Sequence, residues 1–276
     1  MIEHSADAAL QRQVTALVLG RIGPAGFALA GSGAIREHGI TDRPTHDVDL
    51  FTTTDTSPGA FADAVAQTEQ LLEDHGYRVT RTRSTPEFAR ILVQTDQDMV
   101  LEVDLGFDWR GEPPAQLAVG PVLALTDAVG SKLAAVYSRG EVRDFLDLDA
   151  IRQSGRFTDT ELLALAEEHD PGFDMSTFSQ QLRRIGAFGY VETAEYGVDA
   201  DRLDQIKQQT LAWADQLAAR APDHRGPTGP ITDLDTAPRA SDDRPPERLR
   251  REARGTRRPA LEQPSHRRDG PQSPSL

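Results

Sequence analysis

Ala30-Gly31-Ser32-Gly33-Ala34-Ile35-Arg36-Glu37-His38-Gly39, followed closely by Arg43-Pro44-Thr45-His46-Asp47-Val48-Asp49-Leu50-Phe51, is the stretch on which the fold turns. Phe27-Ala28-Leu29-Ala30 is a brief apolar strand that runs into a Gly-Ser-Gly turn, and residues 34–38 read as the helix this turn opens. Residues 39–45 form a loop. Val48, Leu50 and Phe51 then alternate with Asp47 and Asp49, which is strand periodicity with both carboxylates on one face.

The chemistry follows from that placement. Glycines let a backbone approach a ligand closely, and the start of a helix offers unpaired N–H groups and a partial positive charge. Gly31, Ser32 and Gly33 therefore suit a triphosphate, with the Ser32 hydroxyl free to donate to a phosphate oxygen. Two carboxylates at i and i+2 repel each other unless a cation lies between them. Oxygen ligands of this kind suit Mg²⁺ or Mn²⁺, which can clamp the attacking and leaving oxygens of a phosphoryl displacement. A third acid completes such a cage, and Glu102 and Asp104 are the candidates, because they share one face of a later strand.

Working outward, residues 5–18 read as an amphipathic helix with Leu10, Val14 and Leu17 at helical spacing, and residues 58–76 as a second. Residues 77–83, 88–95 and 99–105 read as strands, the last two joined as a hairpin through residues 94–98. From residue 126 to about 218 the pattern is helical, with Thr126 as the N-cap of a helix over 127–138 and further helices over 141–153, 158–168, 175–185 and 200–219. Ten of the 18 prolines lie between Pro222 and Pro274, where aromatics are absent and charges of both signs mix, so residues 221–276 read as disordered. The expected organisation is a core over 1–120, a helical domain over 121–220 and this tail.

Composition narrows the function. The 276 residues carry 30 Lys+Arg against 44 Asp+Glu, for a net charge of −14, so any nucleic-acid contact must come from a local basic patch. Arg78, Arg81, Arg83 and Arg90 are the densest such cluster in the folded part, with salt bridging as the plainer reading; Arg248–Arg251 and Arg257–Arg258 are similar runs in the tail. No cysteine is present, which excludes disulfides, thiolate metal sites and a cysteine nucleophile. No apolar run reaches the ~18 residues of a membrane helix, and the first residues lack the features of a signal peptide, so a cytoplasmic protein without membrane contact is expected. His38 and His75 read as helix-end residues, His46 faces away from Asp47, and Trp109 and Trp213 read as packing residues.

The order strand, Gly-Ser, helix, loop, Asp-x-Asp resembles the first motif of the polymerase-β-like nucleotidyltransferase superfamily. The long spacer between Ser32 and Asp47, with Arg43-Pro44-Thr45 before the acids, looks like the AbiEii/AbiGii toxin family, which includes MenT-like toxins. Leu125-Thr126-Asp127-Ala128-Val129-Gly130-Ser131-Lys132-Leu133, then Arg139-Gly140-Glu141-Val142-Arg143-Asp144-Phe145-Leu146-Asp147-Leu148, is similar to that family's second block. The resemblance spans about residues 27–185. It departs at Ala30-Gly31-Ser32-Gly33, where many relatives read Gly-Gly-x-Ala-Leu.

The resemblance implies an α+β fold: a mixed-sheet nucleotidyltransferase core followed by a helical C-terminal domain. It implies that Lys132 contacts the nucleotide's phosphates, that Asp144 orients Lys132 or activates the acceptor, and that Asp104 rather than Glu102 is the third carboxylate. The expected activity is metal-dependent transfer of an NMP from an NTP to an acceptor, by a toxin acting on tRNA and paired with an antitoxin encoded nearby. Transfer to a small molecule or a protein hydroxyl, and a catalytically silent nucleotide-binding module, are the alternatives.

Overall fold

In the computed structural model, which describes residues 2–220, the chain builds one mixed sheet and packs helices around it. Helix α1 (Ile2–Ile22) leads through a short 3-10 turn into β1 (Ala28–Leu29), α2 (Gly31–Glu37) and β2 (Asp47–Thr52). Then come α3 (Pro58–Asp74), β3 (Arg78–Ser84), β4 (Phe88–Gln94), β5 (Val100–Phe107), β6 (Ala115–Leu117) and β7 (Gly120–Val122). The rest is helical: α4 (Leu125–Ser138), α5 (Val142–Gln153), α6 (Asp159–His169), α7 (Met175–Leu182), α8 (Tyr190–Ala194) and α9 (Ala200–Arg220). The tail expectation, with its arginine runs, lies outside the described residues. No described helix is long and apolar enough to cross a membrane.

The seven strands lie in the order β3-β4-β5-β2-β1-β7-β6. Two pairings are parallel, β2 with β5 and β1 with β7, and the others are antiparallel. The α+β class and mixed sheet read from the sequence are therefore what the chain adopts. The parallel β2–β5 pairing sets Asp47 opposite Glu102 and Asp49 opposite Asp104. The alternate residues Val48, Leu50, Val103 and Leu105 point the other way, into the core. Burying four aliphatic side chains at roughly 1.5–3 kcal/mol each fixes this register, because a one-residue slip would put the acids in the core instead.

Several local expectations are revised. Gly-Ser-Gly is the first turn of α2 rather than a loop before it. The two short strands β6 and β7 carry too few residues to show alternation, yet they close the far side of the sheet. Thr126 does not cap α4, which starts earlier with Ala124 at its N-cap. Asp127 takes the first-turn role instead: its carboxylate accepts from the backbone N–H groups of Gly111 and Glu112 and pins the preceding loop. Helix α7 stops at Leu182 and tightens into a 3-10 segment, and the short α8 was not visible in the periodicity. Thr158 caps α6 in a reciprocal box with Glu161.

Candidate active site

A cleft of about 340 Å³ opens on the face of β2 and β5 that carries the acids. Asp47, Asp49 and Asp104 form one wall, with Gly31 and Ser32 at the start of α2 beside them. Lys132 of α4 also lines the cleft, as do Arg90, Arg139 and Arg143. The structure thus gathers most of the residues singled out in the sequence.

Gly31 is the tightest point. Its φ is +58°, a backbone region L side chains rarely adopt, and a Cβ there would overlap the Asp49 carboxylate. The glycine is what lets the backbone touch β2 at Asp49. Gly33, in contrast, does not line the cleft. A Cβ on it would sit 2.9 Å from the Leu29 side chain, so its place is in helix–strand packing.

Asp49 is the most electrostatically loaded carboxylate. Burial, with the like charges of Asp47 and Asp104, pushes its pKa up to about 7, against the pull of Lys132 and Arg143. Asp104 is gripped by Arg90 through two parallel hydrogen bonds of 2.8 and 2.7 Å, and Arg90 also pairs with Glu102 at 3.0 Å. Arg143 stands 3.4 Å from Asp47 and 2.9 Å from Glu141.

Behind the cleft lies a buried knot that the sequence reading did not foresee. Asp147, on the inner face of α5, is 0% exposed and meets Lys132 Nζ at 2.8 Å. Arg43 reaches the same carboxylate through Nε at 2.6 Å and Nη2 at 2.8 Å. The Ser32 hydroxyl donates to Asp147 at 2.7 Å and accepts from Arg43 at 2.6 Å and Lys132 at 2.9 Å. A hydroxyl has one proton and two lone pairs, so Ser32 is fully engaged. Burial works to raise the Asp147 pKa, but Lys132 and Arg43 outweigh it and hold the carboxyl well below the usual range.

Of the two roles the resemblance implies for Asp144, orienting Lys132 is not what its contacts show. Fully buried at the start of α5, it closes a capping box with Glu141 and binds Arg139 through two 2.8 Å hydrogen bonds. Its influence on the cleft runs through Arg139. Asp144 and Asp147 sit at i and i+3, on one face of a helix; that spacing is the signal by which Asp147 could have been found.

The Arg43-Pro44-Thr45 element also acquires a physical role. Thr45 Oγ1 donates to Gln11 Oε1 of α1 at 2.8 Å, and Arg36 reaches the same oxygen at 2.7 Å. Gln11 returns a hydrogen bond to the Thr45 carbonyl. The loop before the acids is thereby fastened at Thr45 to α1 and at Arg43 to α5. The arginine cluster for which salt bridging was the plainer reading is mostly engaged in pairs: Arg81 with Glu69, Arg78 with Gln94, and Arg90 with Asp104.

Whether these residues fit a divalent cation follows from their donor chemistry. Asp47 and Asp49 offer hard oxygens on one strand face, which is the donor chemistry a divalent cation of this kind takes. Among the described residues no three acidic or histidine side chains already converge as a cage. The third carboxylate, Asp104, would have to turn from Arg90. The pair fits, with that one rearrangement.

No curated protein sequence matches the chain. A crystal structure of JHP933 from Helicobacter pylori is similar at 13% identity and a TM-score of 0.47, covering 80% of this chain and 94% of that one. MenT4, a nucleotidyltransferase toxin from Mycobacterium tuberculosis, is similar at 16% identity and a TM-score of 0.45, covering 80% and 91%. Residues 23–267 match the family model described as nucleotidyl transferase AbiEii toxin, type IV toxin–antitoxin system. With that match over most of its length, the chain belongs to the AbiEii toxin family and is a nucleotidyltransferase.

Proposed function

We propose that the enzyme moves an NMP from an NTP to an acceptor hydroxyl at the cleft between β2 and α4. The observation that carries this reading is the set of Asp47, Asp49 and Asp104 on one sheet face, with Lys132 lining the same cleft. Asp47 and Asp49, joined by Asp104 once it leaves Arg90, would hold Mg²⁺ or Mn²⁺. When bound, the cation supplies charge neutralisation and polarisation at the α-phosphate.

The chain's own groups do the remainder. Lys132, fixed by Asp147, neutralises the β- and γ-phosphates, and the backbone at Gly31 and Ser32 lets the triphosphate lie close to the acids. The acceptor oxygen attacks the α-phosphorus, a new P–O bond forms, and the bond to the β-bridging oxygen breaks. The hydroxyl proton passes to a carboxylate of the cluster and pyrophosphate leaves. The acceptor this reading takes, the 3′ end of a tRNA, comes from the family resemblance; the chain as a whole is acidic, and Arg139 and Arg143 at the cleft are already paired with Asp144 and with Asp47 and Glu141. A cognate antitoxin would be the regulating partner.

Two experiments test this. Radiolabelled NTPs offered with total tRNA, with protein and with small aminated sugars should label tRNA and release pyrophosphate; label in another pool moves the acceptor assignment there. Expression without the neighbouring gene should arrest growth, and Asp49→Ala should relieve it. Arrest that survives Asp49→Ala would refute transfer as the toxic activity.

A further inference from the structure

Trp109 reads from the sequence as a packing residue, yet the residue is 48% exposed. It lines a second cavity of about 460 Å³ formed by residues 53–55 and 107–110, past the ends of β2 and β5. Asp108 lines both this cavity and the cleft, so the two are neighbours across one side chain. From Asp49 to Thr53, and from Asp104 to Asp108, the chain advances four residues, or ~13 Å in extended form. That is a gap a ribose and base can span from a phosphate held at the acids.

The indole is held firmly. Its ring meets the His169 imidazole edge-on, with centroids 4.8 Å apart and planes at 88°. His169 is itself buried: Nδ1 bonds the Leu165 carbonyl at 3.0 Å, and Nε2 stands 3.5 Å from Asp127. A side chain at Gly130 would strike the imidazole, so α4 leaves a glycine where the ring fits. Asp127 in turn holds the 111–112 backbone that follows Trp109. Arg110 fastens the other side, donating to the Phe51 carbonyl at 2.9 Å and the Gly26 carbonyl at 3.1 Å. A large aromatic surface is thus left open to water but fixed in place from both flanks. Such preorganisation suits a stacking platform, because the ring loses little freedom on binding.

We infer that the cavity beside Trp109 is the subsite for the base of the incoming nucleotide, which stacks on the indole while its phosphates lie at Lys132 and the aspartates. The inference rests on the cleft being an NTP site. Stacking alone tolerates any base, since each has a π-face. Thr53, Thr54 and Asp55 in the cavity wall offer the polar contacts that select among them.

The test uses the full chain with Mg²⁺, and titrates ATP, CTP, GTP and UTP in turn, followed by calorimetry and by tryptophan emission. Inorganic tripolyphosphate serves as the probe without a base. At least one NTP should quench the emission, and Trp109→Phe should abolish that quench while keeping most of the affinity. Trp109→Ala should weaken that NTP roughly ten-fold, the range of one base on one ring, and leave tripolyphosphate binding unchanged. Melting curves of both variants check the fold. NTP binding that ignores Trp109→Ala overturns the subsite and leaves the NTP site standing. Equal weakening of tripolyphosphate also overturns it, since the loss would then not concern the base. If no NTP binds the wild-type protein, the reading of the cleft falls, and this inference with it.

Discussion

Lys132 reaches the Asp147 carboxylate at 2.8 Å, in a pocket where the two side chains are 6% and 0% exposed. A buried pair of this kind adds little net stability against an apolar substitute, but removing one partner is costly, at about 3–5 kcal/mol. Here the loss would strand two cations, since Arg43 leans on the same carboxylate. Asp147→Ala is therefore expected to lower stability by about that amount, read by denaturant unfolding. Asp147→Asn should lose less stability, yet raise KM for the NTP, because Lys132 is no longer held in place. The pH sign follows from the depressed Asp147 pKa. Its contribution is present above the ordinary carboxylate value and fades as pH falls below it. Wild type should thus lose more stability than Asp147→Asn on going from neutral to acid pH. Parallel pH profiles would show that the Lys132–Asp147 pair is not a stabilising interaction.

Gly31→Ala probes the contact between α2 and Asp49 of β2. The φ of +58° alone costs a non-glycine residue about 1–2 kcal/mol, and the added methyl would push the Asp49 carboxylate aside. A displacement of about 1 Å at a reacting centre commonly costs ~10²-fold in rate. The variant should fold with a modestly lower Tm and lose transfer activity by about that factor. Gly33→Ala meets only Leu29 and should affect Tm more than kcat. Equal kinetic loss in both variants would mean that Gly31 has no special tie to Asp49.

How much of this was legible in the sequence differs by element. Asp47-Val48-Asp49 could be placed on one strand face because a period of two leaves no other arrangement once Val48 and Leu50 are buried. The family resemblance pointed to Lys132 and to the α5 block. Strand pairing was hidden: nothing local says that β2 runs parallel to β5 and so sets Asp49 opposite Asp104. The partner of Lys132 was hidden for the same reason. Asp144 and Asp147 are both acids on one helix face, and only packing decides that Asp147 points at Lys132 while Asp144 turns to Arg139. Trp109 was misread as a packing residue because sequence shows hydrophobicity, not exposure. Strands β6 and β7 were missed because three residues are too few to reveal a period.

Asp49 should reveal itself in stability before any chemistry is measured. Its pKa rises from 3.8 to about 7 through burial and the charges of Asp47 and Asp104. A carboxyl raised on folding favours the native state below its ordinary pKa, and that advantage disappears as pH climbs through the folded value. In EDTA, the wild-type protein should therefore lose stability between about pH 4 and pH 7. Asp49→Asn removes the charge, so its Tm should exceed wild type by more at pH 8 than at pH 5. At 1.36 kcal/mol per pKa unit the ceiling is ~4 kcal/mol, and relaxation makes ~2 kcal/mol the expected scale. A Tm difference between the two proteins that does not change with pH would refute the raised pKa.

Arg90 decides whether Asp104 belongs to a cation site. Its guanidinium occupies both Asp104 oxygens, at 2.8 and 2.7 Å, and competes with any divalent ion for them. If Asp104 is a third ligand, a bound ion must displace that fork, and the lost hydrogen bonds subtract from its affinity. Arg90→Gln removes the competitor and frees both Asp104 oxygens on the face that carries Asp47 and Asp49. Mn²⁺ binding, followed by electron paramagnetic resonance of the free ion, should then tighten several-fold over wild type. Asp104→Asn in the same background should reverse the gain. Tightening that persists in the double variant would reflect only the change in net charge and would leave Asp47 and Asp49 as the sole protein ligands. Unchanged or weaker Mn²⁺ binding in Arg90→Gln itself would assign Asp104 to holding the edge of the cleft through Arg90, with no place at the metal.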